Sequence, residues 1–176
     1  QEKKAIAFLE AAHIDNPKSH QLNLHYARAL IAVKDYLAAE KKLSQLIAIA
    51  PNNPETQLMH ALLAYDNKHD EAAIASLNRL IALQSHEEEA YYYFAMIAKR
   101  QDKLDDTEKY LSQINEGDRY LSAQIELATL RIKSDRLSQA RQQLTESRQQ
   151  HPELASTLYA VEIELLNNNK LEETAY

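Results

Sequence analysis

Small and large apolar residues return at a fixed interval along this chain, and that interval limits the fold more than any other feature. Ala39, Leu43 and Leu46 are followed 34 positions later by Ala73, Leu77 and Leu80. A further 34 leads to Thr107, Leu111 and Ile114, and a step of 33 leads to Ala140, Leu144 and Ser147. Stepping back 34 from the first set gives Ala5, Leu9 and Ala12. A second set, Ala27, Ala61, Ala95 and Ala128, keeps the same register. Pro17 and Pro51 also stand 34 apart, and Pro152 takes that position three units later. Such a period marks an array in which each unit buries its apolar face against the next. Two antiparallel helices approach closely only where a side chain is small, and a large Leu four residues on fills the space between units.

Composition agrees with helices. The 176 residues include one Gly and four Pro. Tight hairpins want Gly or Asn at positive φ, so a sheet protein is hard to build from this chain. Its abundant Ala, Leu, Glu, Gln and Lys are strong helix formers. One Gly excludes Gly-rich phosphate loops and dinucleotide fingerprints. The absence of Cys excludes thiol catalysis, disulfides and Cys-based zinc sites, and leaves the redox compartment unread. A net charge of −6 without a basic cluster argues against nucleic acid as a partner. Mean hydropathy is −0.54, and no apolar run approaches the ~18 residues of a membrane span. No signal peptide is visible. The chain starts at Gln1 rather than Met, which suits a fragment from which an anchor or targeting segment could have been removed.

The period and pattern resemble the tetratricopeptide repeat (TPR), a helix–turn–helix unit with a small residue in helix A and an Ala early in helix B. The resemblance covers the whole chain. It implies an all-α, right-handed solenoid of helical hairpins with a concave groove. Residues 1–16 then form helix B of a preceding repeat. Full repeats follow at about 19–52, 53–86, 87–119 and 120–152, and a truncated repeat occupies 153–176. Every Pro falls between repeats, where a helix must stop. Both ends are cut inside a repeat, so further repeats or a covering partner are expected beyond them. Departures are specific. Ala stands where the family favours Gly in helix A. The family's turn Gly is replaced by Lys34, Lys68, Asp102, Asp135 and Asn169. Asp and Asn tolerate the left-handed region better than Lys does. Thr107 replaces an Ala, and Glu162 stands where a small residue is expected. Gly117 marks the step shortened to 33 and is expected to supply an unusual backbone angle.

No catalytic constellation is present. His13, His20, His25, His60, His69, His86 and His151 form no i, i+4 pair and no His-Glu-x-x-His motif, and they are expected to be surface or groove polar residues. The runs at Glu87–Glu89, His69–Glu71 and Asp105–Asp106 suit helix N-termini, where acids complement the dipole. An enzyme is not expected, nor a cofactor, nor a metal site.

By the resemblance, helix A lines the groove. The stripe includes Leu24, Arg28, Leu58, Met59, Leu62, Tyr65, Tyr92, Tyr93, Met96, Lys99, Arg100, Ile125, Thr129 and Lys133. It is apolar and aromatic for a surface that should face water. Tyr, Met and Arg are enriched at interfaces, and the cations suit a carboxylate on a ligand. Leu24 and Leu58 equally suit packing against the adjacent helix A. The two-carboxylate clamp for chaperone tails is absent, since Leu24, Arg28, Leu58 and Leu62 hold its positions.

The expectation is a protein–protein interaction scaffold or adaptor that takes a peptide or helix in this groove. The stretch from Ile114 to Ala128, with its Gly-containing connection followed by Tyr-Leu-Ser-Ala-Gln, is similar to proteobacterial cell-envelope TPR proteins. Some of those are outer-membrane lipoproteins that bring substrates to a periplasmic protease. That similarity implies a protease and its substrates as partners and an envelope location, with the cytoplasm as the alternative. A second possibility is a structural module whose groove is filled by its own missing segments or by a second copy in a homo-oligomer. A third is an accessory domain fused to a catalytic module elsewhere.

Overall fold

The computed structural model describes residues 2–16 and 19–174, with side chains described at 6–12, 16 and 19–168. Pro17 and the side chains of Ala5 and His13 lie outside the described residues. The elements are helices: α1 (Glu2–Asp15), α2 (His20–Ala32), α3 (Tyr36–Ile49), α4 (Pro54–Asp66), α5 (Asp70–Ala82), α6 (Glu87–Arg100), α7 (Leu104–Leu111), α8 (Tyr120–Lys133), α9 (Leu137–Gln150) and α10 (Ala155–Thr174). A 3₁₀ turn at Pro152–Leu154 precedes α10. The fold is all-α, a chain of TPR-type helical hairpins.

The chain divides into two compact units, residues 1–93 and 94–176. In the first, each of α1 to α5 packs on the helix that follows or precedes it. Ala27, Ala39, Ala61 and Ala73 are fully buried there, as are Leu43, Leu77 and Leu80. In the second, α7 packs on α8, α8 on α9, and α10 on both α8 and α9. Ala95, Ala128 and Ala140 are again fully buried, with Leu111, Ile114, Leu144 and Leu158. The repeating stripe is therefore core in both units.

The expected turn residues are where the helices end. Lys34, Lys68, Asp102 and Asp135 have φ of 65°, 63°, 58° and 57°. At each, the next residue donates its N–H back to a carbonyl five residues earlier. The four bonds are Asp35 to Leu30 (2.9 Å), His69 to Ala64 (2.8 Å), Lys103 to Ala98 (2.9 Å) and Arg136 to Arg131 (2.8 Å). This is the Schellman closure, which satisfies the last helical carbonyls through one left-handed residue. Gly117 has φ 79°, as its place in the shortened connection suggested. Pro54 opens α4, at the position where its missing N–H costs no hydrogen bond. Glu87–Glu89 lie in the first turn of α6.

One expectation fails. No turn forms at Asn169, because α10 runs unbroken to Thr174. Asn loses only a few tenths of a kcal/mol in a helix relative to Leu or Lys, and strong helix formers, Leu165 and Leu166 before and Lys170 to Glu172 after, bracket the run Asn167–Asn169. In the link between α5 and α6, Gln84 and His86 both take positive φ, 49° and 53°, and Gln84 forms a fifth Schellman end through Ser85 N–H to Leu80 O (3.1 Å).

Candidate functional site

In the first unit, α4 carries the expected stripe. Leu58, Met59, Leu62 and Tyr65 are each half-buried, with part of the side chain reaching solvent. Successive choices at i, i+3 and i+4 place such residues on one helix face. The Tyr65 ring stands edge-on to Tyr93 at 5.0 Å between centroids, and Tyr93 stands edge-on to Tyr92 at 5.6 Å. Such edge-to-face pairs add about 0.5–1.5 kcal/mol beyond the area they bury. They hold three half-buried phenols in a fixed ladder. Leu24 differs: it is 6% exposed and joins Leu30, Leu43, Leu46 and Leu63 in the core, with Met59 packed against that cluster. Packing rather than a ligand accounts for it. Arg28 is exposed and ion-paired to Glu55, so its charge is already matched.

In the second unit, Met96, Ile125 and Thr129 are half-buried and Lys99, Arg100 and Lys133 exposed. Lys99 pairs with Glu126. Thr129 turns its hydroxyl back onto the Ile125 carbonyl (2.8 Å). Lys99, Glu126, Thr129 and Lys133 share a cavity of about 320 Å³ with Leu104, Thr107 and Leu130. That volume is near the lower limit of ligand pockets, roughly 300–1,000 Å³. The leucines on its wall went unread in the sequence. Leu104 is 45% exposed although it is the first residue of α7, and an apolar residue at a helix start was the available signal.

Polar groups between the helices are the second feature that sequence reasoning missed. His60 was expected at a surface or in a groove, yet it is 6% exposed. It stands at the repeat position that Tyr26, Phe94 and Leu127 hold in the other units, and that alignment was the signal. Its Nε2 lies 2.9 Å from Ser44 Oγ on α3, and its Nδ1 lies 2.8 Å from Ser76 Oγ on α5. Burial pushes its affinity for a second proton down, and the nearby Glu40 carboxylate opposes this. Glu40 is itself buried and accepts from Asn67 Nδ2 (2.6 Å) and His69 Nδ1 (2.8 Å). Burial alone would raise its carboxyl, but these partners hold it below the ordinary value.

The second unit uses guanidinium groups in the same role. Glu108 on α7 accepts from Arg131 Nε (2.9 Å) and pairs with Arg136 (2.7 Å). Glu162, the residue that broke the small-residue pattern, is 8% exposed on α10 and accepts from Arg141 Nε (3.1 Å) and Arg148 (2.6 Å) of α9. Burial raises both acids and the arginines more than offset it, so each stays below the ordinary carboxylate value. Among the described residues no group of His, Asp and Glu could hold a metal ion, and no helix is long and apolar enough to cross a membrane.

The tetratricopeptide repeat family matches residues 1–64. A TPR repeat-containing protein of Pseudomonas aeruginosa is 29% identical over 87 residues, which is 49% of this chain and 15% of that protein. The chain thus spans a small part of that relative's length. Among solved structures, MamA superposes with a TM-score of 0.75 at 14% identity, over 88% of this chain and 91% of that one. MamA from Desulfovibrio magneticus gives 0.71 at 14%, over 86% of each. YrrB, a TPR protein with an unusual peptide-binding site, gives 0.63 at 14%, over 92% and 90%. At such identities the likeness is one of fold. Repeat spacing and helical hairpins give this chain the fold of tetratricopeptide-repeat proteins, and the family model matches its first 64 residues. Proteins of this class serve in general as protein–protein interaction scaffolds and are generally non-catalytic.

Proposed function

We propose that residues 19–152, in repeats of about 33 or 34 residues, form a non-catalytic adaptor that holds a peptide or helix of a partner on its helix A faces. The observation that carries this reading is the ladder of Tyr65, Tyr93 and Tyr92. Three half-buried aromatic rings beside Leu58, Met59 and Leu62 form an adaptable apolar surface that water covers poorly. The ladder is preformed, so a partner docks without ordering it. In the second unit Met96, Ile125, Thr129 and the exposed Lys99, Arg100 and Lys133 offer a more polar surface, where charge sets orientation and on-rate. The likeness of the Ile114–Ala128 stretch to envelope TPR lipoproteins supports a narrower role, delivery of substrates to a periplasmic protease. The test is capture of partners from envelope and soluble fractions of the source organism. Tyr65→Ala with Tyr92→Ala is expected to lose capture while keeping helicity. Undiminished capture by the folded double variant overturns the reading.

A second reading is favoured by Tyr159 and Ile163 on α10, which are 58% and 49% exposed one helical turn apart. A second copy or another segment of the protein would cover them. Sedimentation of the full-length protein separates the two: a dimer that disappears with Ile163→Glu supports self-assembly, and a monomer supports the adaptor.

A further inference from the structure

The imidazole of His60 sits among three helices, and its protonation state is set by the hydroxyls around it. Ser44 Oγ donates to the Glu40 carbonyl (3.0 Å). It is therefore left to accept from His60, which places the imidazole hydrogen on Nε2 (2.9 Å). Nδ1 then has a lone pair, and Ser76 Oγ donates to it (2.8 Å). One neutral ring thus ties α4 to α3 on one side and to α5 on the other. A second proton would put N–H on Nδ1, facing the hydroxyl hydrogen of Ser76. It would also place a charge in a site with little water.

The charged group that faces His60 from α3 is Glu40, whose carboxylate is already engaged by Asn67 and by His69, the residue before α5. From α5 the facing group is the neutral Ser76 hydroxyl. Glu40 favours the imidazolium, but burial outweighs it. The folded state therefore binds this proton less readily than the unfolded chain does. The stabilisation is complete above the ordinary histidine value of 6.5 and is lost as pH falls through the lower folded value. The same helix carries Leu58, Met59, Leu62 and Tyr65 on its partly exposed side.

We propose that His60 is an acid-sensitive latch: one proton on its imidazole unpins α4 from α3 and α5, and so loosens the aromatic face that α4 presents to a partner. The proposal rests on reading that face as the binding surface. The latch itself can be measured on the free chain, which separates its failure from failure of the binding reading.

The experiment follows the His60 Cε1–H and the Tyr65 and Tyr93 ring signals of the full chain by NMR from pH 8 to pH 4.5. His60 should titrate below 6.5, and the tyrosine signals should shift or broaden with the same midpoint. Ser76→Ala removes the hydroxyl that opposes the proton. It should raise that midpoint by roughly 0.5–1 pH unit, the worth of one hydrogen bond. His60→Gln should abolish the tyrosine response. The proposal is overturned if His60 titrates at or above 6.5. It is also overturned if the tyrosine signals ignore that titration, or if Ser76→Ala leaves the midpoint in place.

Discussion

The two units bury the same stripe and tie their helices together differently. In residues 1–93, the polar ties are a neutral imidazole between two serines and an acid held by an amide and a histidine. In residues 94–176, they include two carboxylates, Glu108 and Glu162, each gripped by two arginines, and the buried Gln124 bonded by Gln143 and Ser147. Their turns differ too: the left-handed residues are Lys34, Lys68, Gln84 and His86 in the first unit and Asp102, Asp135 and Gly117 in the second. The shared stripe supplies cohesion through area removed from water, which is indifferent to pH. The ties decide conditions of use. Guanidinium groups stay charged at any ordinary pH, so the ties at Glu108 and Glu162 depend only on those acids staying ionised. An imidazole changes state within the physiological range.

The comparison can be broken most forcefully in the core. Leu77→Ala and Leu144→Ala remove equivalent side chains, each at most 1% exposed. Each should cost about 2–5 kcal/mol, as buried Leu truncations do. Urea unfolding should show losses within about 1 kcal/mol of each other. A loss twice as large in one unit would mean the stripe is not an equal core. Next in size, Glu162→Gln strands Arg148, whose side chain is 18% exposed, and should cost about 1–3 kcal/mol. That loss should shrink in high salt, as an ionic tie requires. The smallest effects lie in the turns. Lys34→Gly and Lys68→Gly relieve a left-handed side chain and should gain up to about 1 kcal/mol. Asp102→Gly and Asp135→Gly should gain less, because Asp accepts that region more readily. Equal gains in thermal melts would remove the distinction between the turns.

The buried stripe was legible because close approach admits only small residues, and repetition exposes the rule. The turn positions were legible for the same reason: Lys34, Lys68, Asp102 and Asp135 share one place in the repeat whatever their chemistry. Interactions that depend on a partner from another repeat were not legible. Nothing within α4 announces that Ser44 and Ser76 reach His60 from either side. Glu162 reads as a broken pattern until two α9 arginines are placed beside it. Arg28 reads as a free cation until Glu55, 27 residues on, meets it. The candidate binding stripe was only partly legible, because helical periodicity cannot tell Leu24, in the core, from Leu58, at its edge.

The contrast between the ties is tested most directly by amide hydrogen exchange of the whole chain at pH 7.5 and pH 5.0, corrected for the intrinsic pH dependence of exchange. Protection in α3, α4 and α5 should fall at least about tenfold between the two, while α8 and α9 hold theirs, since Glu108 and Glu162 stay ionised at pH 5.0. Equal losses in both units, or none in the first, would contradict the account.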